Sequence, residues 1–214
     1  MTNRSDAPLA PRGSRAPSRL ALGALALPLL LLLGAAPVSA HHLMGLFQLK
    51  PGPLAGILSG LGHPVLGPDH LLFLLALGLA GLQQPRRWLV GLLATGLAAS
   101  GLGLWLPGLP GAEVLVALSL VAVGLVLNGR LPRSILVPAF ALHGYVLSAA
   151  VLGWEPTPIA FYLLGLLISQ ALLLTAAVTL VRRWGSRLSP ADTKLAAGVL
   201  IGIGASLAWT TVVP

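Results

Sequence analysis

Two histidines and an aspartate lie within eight residues of each other in the run Gly62-His63-Pro64-Val65-Leu66-Gly67-Pro68-Asp69-His70. A third histidine, His143, and one glutamine, Gln170, stand in later apolar stretches, and the remaining two histidines are the neighbours His41 and His42. The chain has no cysteine, which excludes thiolate zinc sites, iron–sulfur clusters and a disulfide framework. Imidazole nitrogen with carboxylate or carbonyl oxygen suits a borderline divalent ion such as Ni²⁺, Co²⁺ or Zn²⁺. The candidate metal ligands are therefore His63, Asp69, His70 and His143, with His41, His42, Gln170, Glu155 and Glu113 as weaker ones.

The two prolines sharpen this reading. Each removes a backbone donor and clashes with the preceding turn, so the helix carrying His63 should break near Pro64 and Pro68, with Gly67 at the turn and Asp69 in the first turn of the second half. Backbone carbonyls freed at membrane depth are tolerated where they are buried in protein or line a cavity, and broken helices form midplane ion sites in transporters.

The elements that must hold these groups are membrane helices. Of 214 residues, 56% are hydrophobic and 8% charged, too apolar for a soluble domain of this length. The first forty residues read as a secretory signal peptide, with Arg4, Arg12, Arg15 and Arg19 ahead of an apolar core from Leu20 to Leu33 and a Val38-Ser39-Ala40 cleavage site. That leaves residues 41–214 as a single domain with His41 and His42 at its start. Six apolar stretches follow, about Leu54 to Leu82, Trp88 to Leu106, Glu113 to Leu127, Arg133 to Leu152, Thr157 to Val181 and Leu195 to Val213. The expected fold is an all-α, polytopic transmembrane bundle of about six helices, with consecutive helices as antiparallel neighbours. Gly56 with Gly60, and Gly198 with Gly202, should let helices pack closely.

Charge sets the orientation. Arg86 and Arg87, then Arg130 and Arg133, then Arg182, Arg183, Arg187 and Lys194 occupy the first, third and fifth connections, while the second and fourth carry no Lys or Arg. The positive-inside rule places the odd connections in the cytoplasm of a bacterial inner membrane and both mature termini outside. The formal net charge of +8 is spread over these short segments, which argues for topology and against nucleic-acid binding. His63 lies nine residues beyond Leu54 and His143 ten beyond Arg133. At about 1.5 Å per residue both reach mid-membrane, and Gln170 falls near the same level.

Three kinds of role fit these residues. They can hold or carry a metal ion, join helices as buried polar contacts, or, with zinc, activate water in an intramembrane hydrolase. The clustering favours metal handling. A hydrolase is disfavoured because the sixth apolar stretch adds no histidine, and no phosphate-binding GxxxxGK[ST] loop points to ATP-driven pumping.

The sequence also resembles the HupE/UreJ family of membrane proteins, associated with nickel or cobalt supply to hydrogenase and urease. His63, Pro64, Gly67, Asp69 and His70 match the family's first-helix pattern in full. His41-His42-Leu43-Met44-Gly45, Leu58-Ser59-Gly60-Leu61-Gly62, His143-Gly144-Tyr145, Glu155-Pro156-Thr157-Pro158, Tyr162-Leu163-Leu164-Gly165 and Gln170 add to the likeness. Many members place a second histidine four residues after the first in the fourth helix, where this chain has Leu147, so fewer imidazole ligands are implied. The resemblance implies a nickel or cobalt permease, or a metal-holding accessory protein, and no enzyme. It implies the lipid bilayer, a divalent ion and hydrogenase or urease maturation proteins as partners, and no prosthetic group.

Overall fold

The computed structural model describes residues 50, 52–82, 84–152, 156–184 and 188–213, all within one compact unit, Ser39–Pro214. The signal-peptide segment, His41, His42 and Glu155 lie outside the described residues. Among the described residues there is no strand, and the chain forms α1 (Pro53–Leu66), α2 (Pro68–Ala80), α3 (Arg86–Trp105), α4 (Ala112–Leu127), α5 (Leu136–Leu147), α6 (Pro156–Trp184) and α7 (Pro190–Val212). Short 3-10 turns, Arg133–Ile135 and Ser148–Val151, flank α5.

The break in the first apolar stretch is present, and it falls at one residue. Helix α1 continues through Pro64 and ends at Leu66, Gly67 is extended, and Pro68 opens α2 with Asp69 in its first turn. The two halves meet at a bend of 71°. Gly67 has φ −81° and ψ 107°, a conformation open to any residue, so backbone freedom is not what requires glycine there. The requirement is space: a Cβ at Gly67 would stand 2.7 Å from Cδ2 of His70.

The all-α apolar bundle is as expected. Among the described residues three helices, Arg86–Trp105, Thr157–Arg183 and Pro190–Val212, are long and apolar enough to cross a membrane, and the bent pair α1 and α2 makes a fourth if taken as one span. Ala112–Leu127 and Arg133–Leu147 are apolar but shorter. At about 1.5 Å per residue, the 16 residues of α4 reach about 24 Å, less than the roughly 30 Å of a hydrocarbon core.

Helix neighbours also differ from the expected antiparallel sequence. The most extensive pairings are α1 with α6, α4 with α7 and α3 with α5. Parallel packing unites α1 and α6: Gly56 abuts Pro158 and Tyr162, Gly60 abuts Tyr162 and Leu166, and Gly165 abuts the backbone of Ile57. Farther along, Gly78 of α2 meets Ala177, so the bent pair follows α6 past the break. Gly144 of α5 rests on the backbone of Gly96 in α3, and Ser100 Oγ donates to Gly144 O at 2.7 Å. Gly56 and Gly60 therefore do the packing expected of them. Gly198 and Gly202 do not, because a Cβ at either would meet open space; Gly124 and Gly204 make the close α4–α7 contacts instead.

Two ends of the bundle can be told apart. At one, Arg182 donates to Gln84 O at 2.5 Å, joining the end of α6 to the connection that precedes Arg86 and Arg87. At the other, Tyr145 donates to Leu106 O, and a cavity of about 360 Å³ is lined by Gly103, Glu113, Tyr145, Ser148, Leu152 and Thr211. A reciprocal cap closes the start of α7, with Ser189 Oγ accepting from Asp192 N at 3.2 Å and Asp192 Oδ2 accepting from Ser189 N at 2.8 Å.

Candidate metal centre

Buried apolar residues form two clusters. The larger includes Phe73, Leu77, Leu92, Leu120, Phe140 and Val178; the smaller is Leu147, Val151, Tyr162 and Leu166. Between them lies a polar group drawn from five helices. His63 (α1) has its Nδ1 2.7 Å from the hydroxyl of Tyr162 in the smaller cluster, while His143 (α5) stacks on Phe73 of the larger at 3.9 Å between ring centroids. His70, at the start of α2, joins the two: its ring stands 5.8 Å from that of His63 and 5.0 Å from that of His143, edge-on to both. His70 Nδ1 and His143 Nδ1 are 2.7 Å apart. All three imidazoles are almost wholly buried, at 2%, 4% and 3% exposed.

The network extends to hydroxyls and carbonyls. His143 Nε2 lies 2.7 Å from Ser119 Oγ of α4, which donates to Val116 O at 2.6 Å. The Tyr162 hydroxyl donates to Leu147 O at 2.5 Å. Ser119 and Tyr162 were not singled out as site residues from the sequence. Tyr162 stood in a stretch resembling the family's fifth helix, but a serine on an apolar helix carries no signal by itself.

The break explains why the histidines converge. His63 sits at the end of α1 and His70 at the start of α2, and the 71° bend turns the two halves about the small residue between them. A straight helix would place residues seven apart about two turns, or 10 Å, from each other along its axis. Here the two ring centroids stand 5.8 Å apart.

The other candidates are placed as follows. Asp69 is partly buried at the first turn of α2, with Oδ1 near Gly67, and makes no hydrogen bond or ion pair among the described residues. Its position suits a carboxylate beside the positive end of a helix. Gln170 is 3% exposed on α6, between Leu166, which meets α1, and Ala177, which meets α2. Glu113 lies away from the histidines, in the wall of the cavity at the far end. Ser59, one turn before His63, carries a buried hydroxyl oxygen with no hydrogen-bond partner among the described residues. Among the described residues no three His, Cys, Asp or Glu side chains are arranged to hold one ion as they stand. The reason is visible in the bonding: the histidine nitrogens that meet are hydrogen-bonded to one another and to hydroxyls.

No curated protein and no solved structure matches the chain. A family model described as HupE / UreJ protein matches residues 29–207, which include the broken helix, the three histidines and both hydroxyls that hold them, and on that match the chain belongs to the HupE/UreJ family.

Proposed function

We propose that the protein is an inner-membrane permease that carries nickel or cobalt as its cargo through the bundle, with a binding site at the break between α1 and α2. The observation that carries this reading is the contact of three buried imidazoles from α1, α2 and α5 at that break. Ionisable groups are costly in a bilayer interior, and three together are hard to account for by packing alone. Nitrogen donors, with the buried oxygen of Ser59 one turn before His63, match the preferences of borderline divalent ions. Family membership supports the same class of cargo.

In this reading the Arg-bearing end of the bundle faces the cytoplasm, and the cavity beside Glu113 faces outward and receives the ion. A signal peptide ending at Ala40 delivers the mature N-terminus to that outer side. Inward movement of a divalent cation is driven by the membrane potential, worth about 4.6 kcal/mol per 100 mV for two charges and so more than about a thousandfold accumulation.

The test is uptake of Ni²⁺, Co²⁺, Zn²⁺ and Mg²⁺ into proteoliposomes with a potential set by potassium diffusion. Nickel or cobalt uptake that rises with an inside-negative potential is expected. Tight binding without uptake would identify a metal-holding accessory protein instead, and absence of both would end the metal reading.

A further inference from the structure

The Arg-bearing end of the bundle gathers charge from distant parts of the chain. Arg86 and Arg87 open α3, and Arg182 and Arg183 close α6. Packing brings the two pairs to one place. Gly81, at the end of α2, is flanked by both helices, since a Cβ there would stand 2.8 Å from Trp88 Cζ3 and 3.4 Å from Val178 Cγ2. One turn beyond Val178, Arg182 donates to Gln84 O at 2.5 Å, two residues before Arg86. The arginine pairs of two helices are thus based around the short connection between α2 and α3.

This arrangement is unfavourable as it stands. All four arginines are exposed, and apart from the Arg182 bond none makes a side-chain hydrogen bond or ion pair among the described residues. Cations in the first turn of a helix are opposed by the helix dipole, and α3 has neither an acidic residue there nor a side-chain cap. The described carboxylates lie elsewhere: Asp69 at the break, Glu113 in the cavity at the far end, and Asp192 bound to Ser189 at the start of α7. Basic connections orient a membrane protein, but charge anywhere in a connection serves that purpose. It does not call for the first and fifth connections to be joined.

Apolar surface adjoins the charge. Trp88 is half-buried beside Gly81, and Val90 of α3 and Leu180 of α6, within one turn of the arginines, are exposed. A ligand suited to both parts carries a phosphate above hydrocarbon. Arginine binds phosphate through paired N–H donors, and tryptophan settles at the level of lipid headgroups. We propose that Arg86, Arg87, Arg182 and Arg183 form a binding site for the headgroup phosphate of an anionic phospholipid, whose acyl chains lie along α3 and α6. The lipid bridges the end of α6 to the α2–α3 connection and so stabilises the fold. This depends on the chain lying in a membrane and not on which ion passes through it.

The experiment uses the full chain in a neutral detergent, titrated with phosphatidylglycerol or with phosphatidylcholine of the same acyl chains. Thermal midpoint and the lipid retained in native mass spectrometry are the readouts. Phosphatidylglycerol should raise the midpoint saturably and be retained in preference to phosphatidylcholine, with a preference that shrinks at high salt; equal effects of the two lipids would overturn the proposal. One basic residue near an anionic headgroup is worth about fivefold in affinity, so Arg86→Gln with Arg87→Gln should weaken phosphatidylglycerol binding about 25-fold. Arg130→Gln with Arg133→Gln removes the same charge from the connection after α4, at the same end of the bundle, and should leave binding unchanged. An equal loss there would show attraction to charge in general and no site. Arg86→Lys with Arg87→Lys keeps the orienting charge, loses the paired donors and should bind more weakly than the parent; parental affinity would overturn the guanidinium contacts. Inorganic phosphate that displaces the lipid and raises the midpoint equally would replace the lipid site with a phosphate site.

Discussion

Replacing Gly67 with alanine tests whether the break exists to place His70. The backbone offers no objection, because φ −81° and ψ 107° suit alanine. The new Cβ, however, would lie 2.7 Å from His70 Cδ2, 3.3 Å from Asp69 Oδ1 and 3.4 Å from His63 O. Two carbons rest about 3.5–4.0 Å apart, so something must yield by about 0.8–1.3 Å. The backbone on either side is tied, Gly67 N to His63 O at 3.0 Å and Leu71 N to Gly67 O at 2.8 Å, which leaves the His70 ring as the softer partner. A shift of that size carries the 2.7 Å bond to His143 beyond the hydrogen-bond range of about 3.2 Å. Losing one such bond costs about 0.5–1.5 kcal/mol, and the reduced freedom of the unfolded chain returns about 0.4–1 kcal/mol. Thermal stability in detergent should therefore change by no more than about 1 kcal/mol, while nickel affinity falls about tenfold or more because His70 is no longer aimed. Calorimetric nickel titration and thermal unfolding on the same preparation separate the two effects. A Gly67→Ala protein that binds nickel as the parent does would refute this account of the break.

Glycines predict a contrast in stability. Gly198→Ala and Gly202→Ala face open space within a helix and should be neutral or stabilise by up to about 1 kcal/mol in thermal unfolding; Gly60→Ala and Gly144→Ala would drive a Cβ into the backbone of α6 and α3 and should each destabilise by about 1–3 kcal/mol. Ser189→Ala removes the cap of α7 and should cost about 1 kcal/mol, read as a lowered thermal midpoint. Glu113→Gln, in the wall of the cavity at the Tyr145 end, should lower the initial rate of metal uptake more than the affinity at equilibrium if that cavity receives the ion, and an unchanged rate at low ionic strength would remove Glu113 from the path.

Much of the fold was legible because membrane helices leave strong marks in sequence. A long apolar run announces itself, and Pro64, Gly67 and Pro68 marked where the first one breaks. The short third stretch was legible too: expected over Glu113 to Leu127, it folds as Ala112–Leu127, a helix of 16 residues. Most neighbour relations were not legible. Connections join helices end to end, but which faces meet depends on small residues opposite each other, and Gly56, Gly60 and Gly165 brought α1 against α6 across about a hundred residues of chain. The same small residues at Gly198 and Gly202 found no partner, since four-residue spacing permits close approach without causing it.

The site divides along a similar line. Its histidines could be named from the sequence because an imidazole at membrane depth is rare and expensive enough to demand a reason. The groups that orient them could not, since serine and tyrosine are ordinary on apolar helices and acquire meaning only through contact. Ser119 and Tyr162 each join a carbonyl of the protein, at Val116 and Leu147, to a histidine of the site. Asp69 makes the converse point. From sequence it was the carboxylate nearest the histidines, but consecutive residues on a helix diverge by about 100°, so fixing His70 toward His143 turns Asp69 toward Gly67 and the start of α2. Adjacency in the chain gave Asp69 no hydrogen bond to His70 among the described residues, although both side chains stand against Gly67, whereas His143, seventy-three residues away from His70, came into hydrogen-bond contact with it.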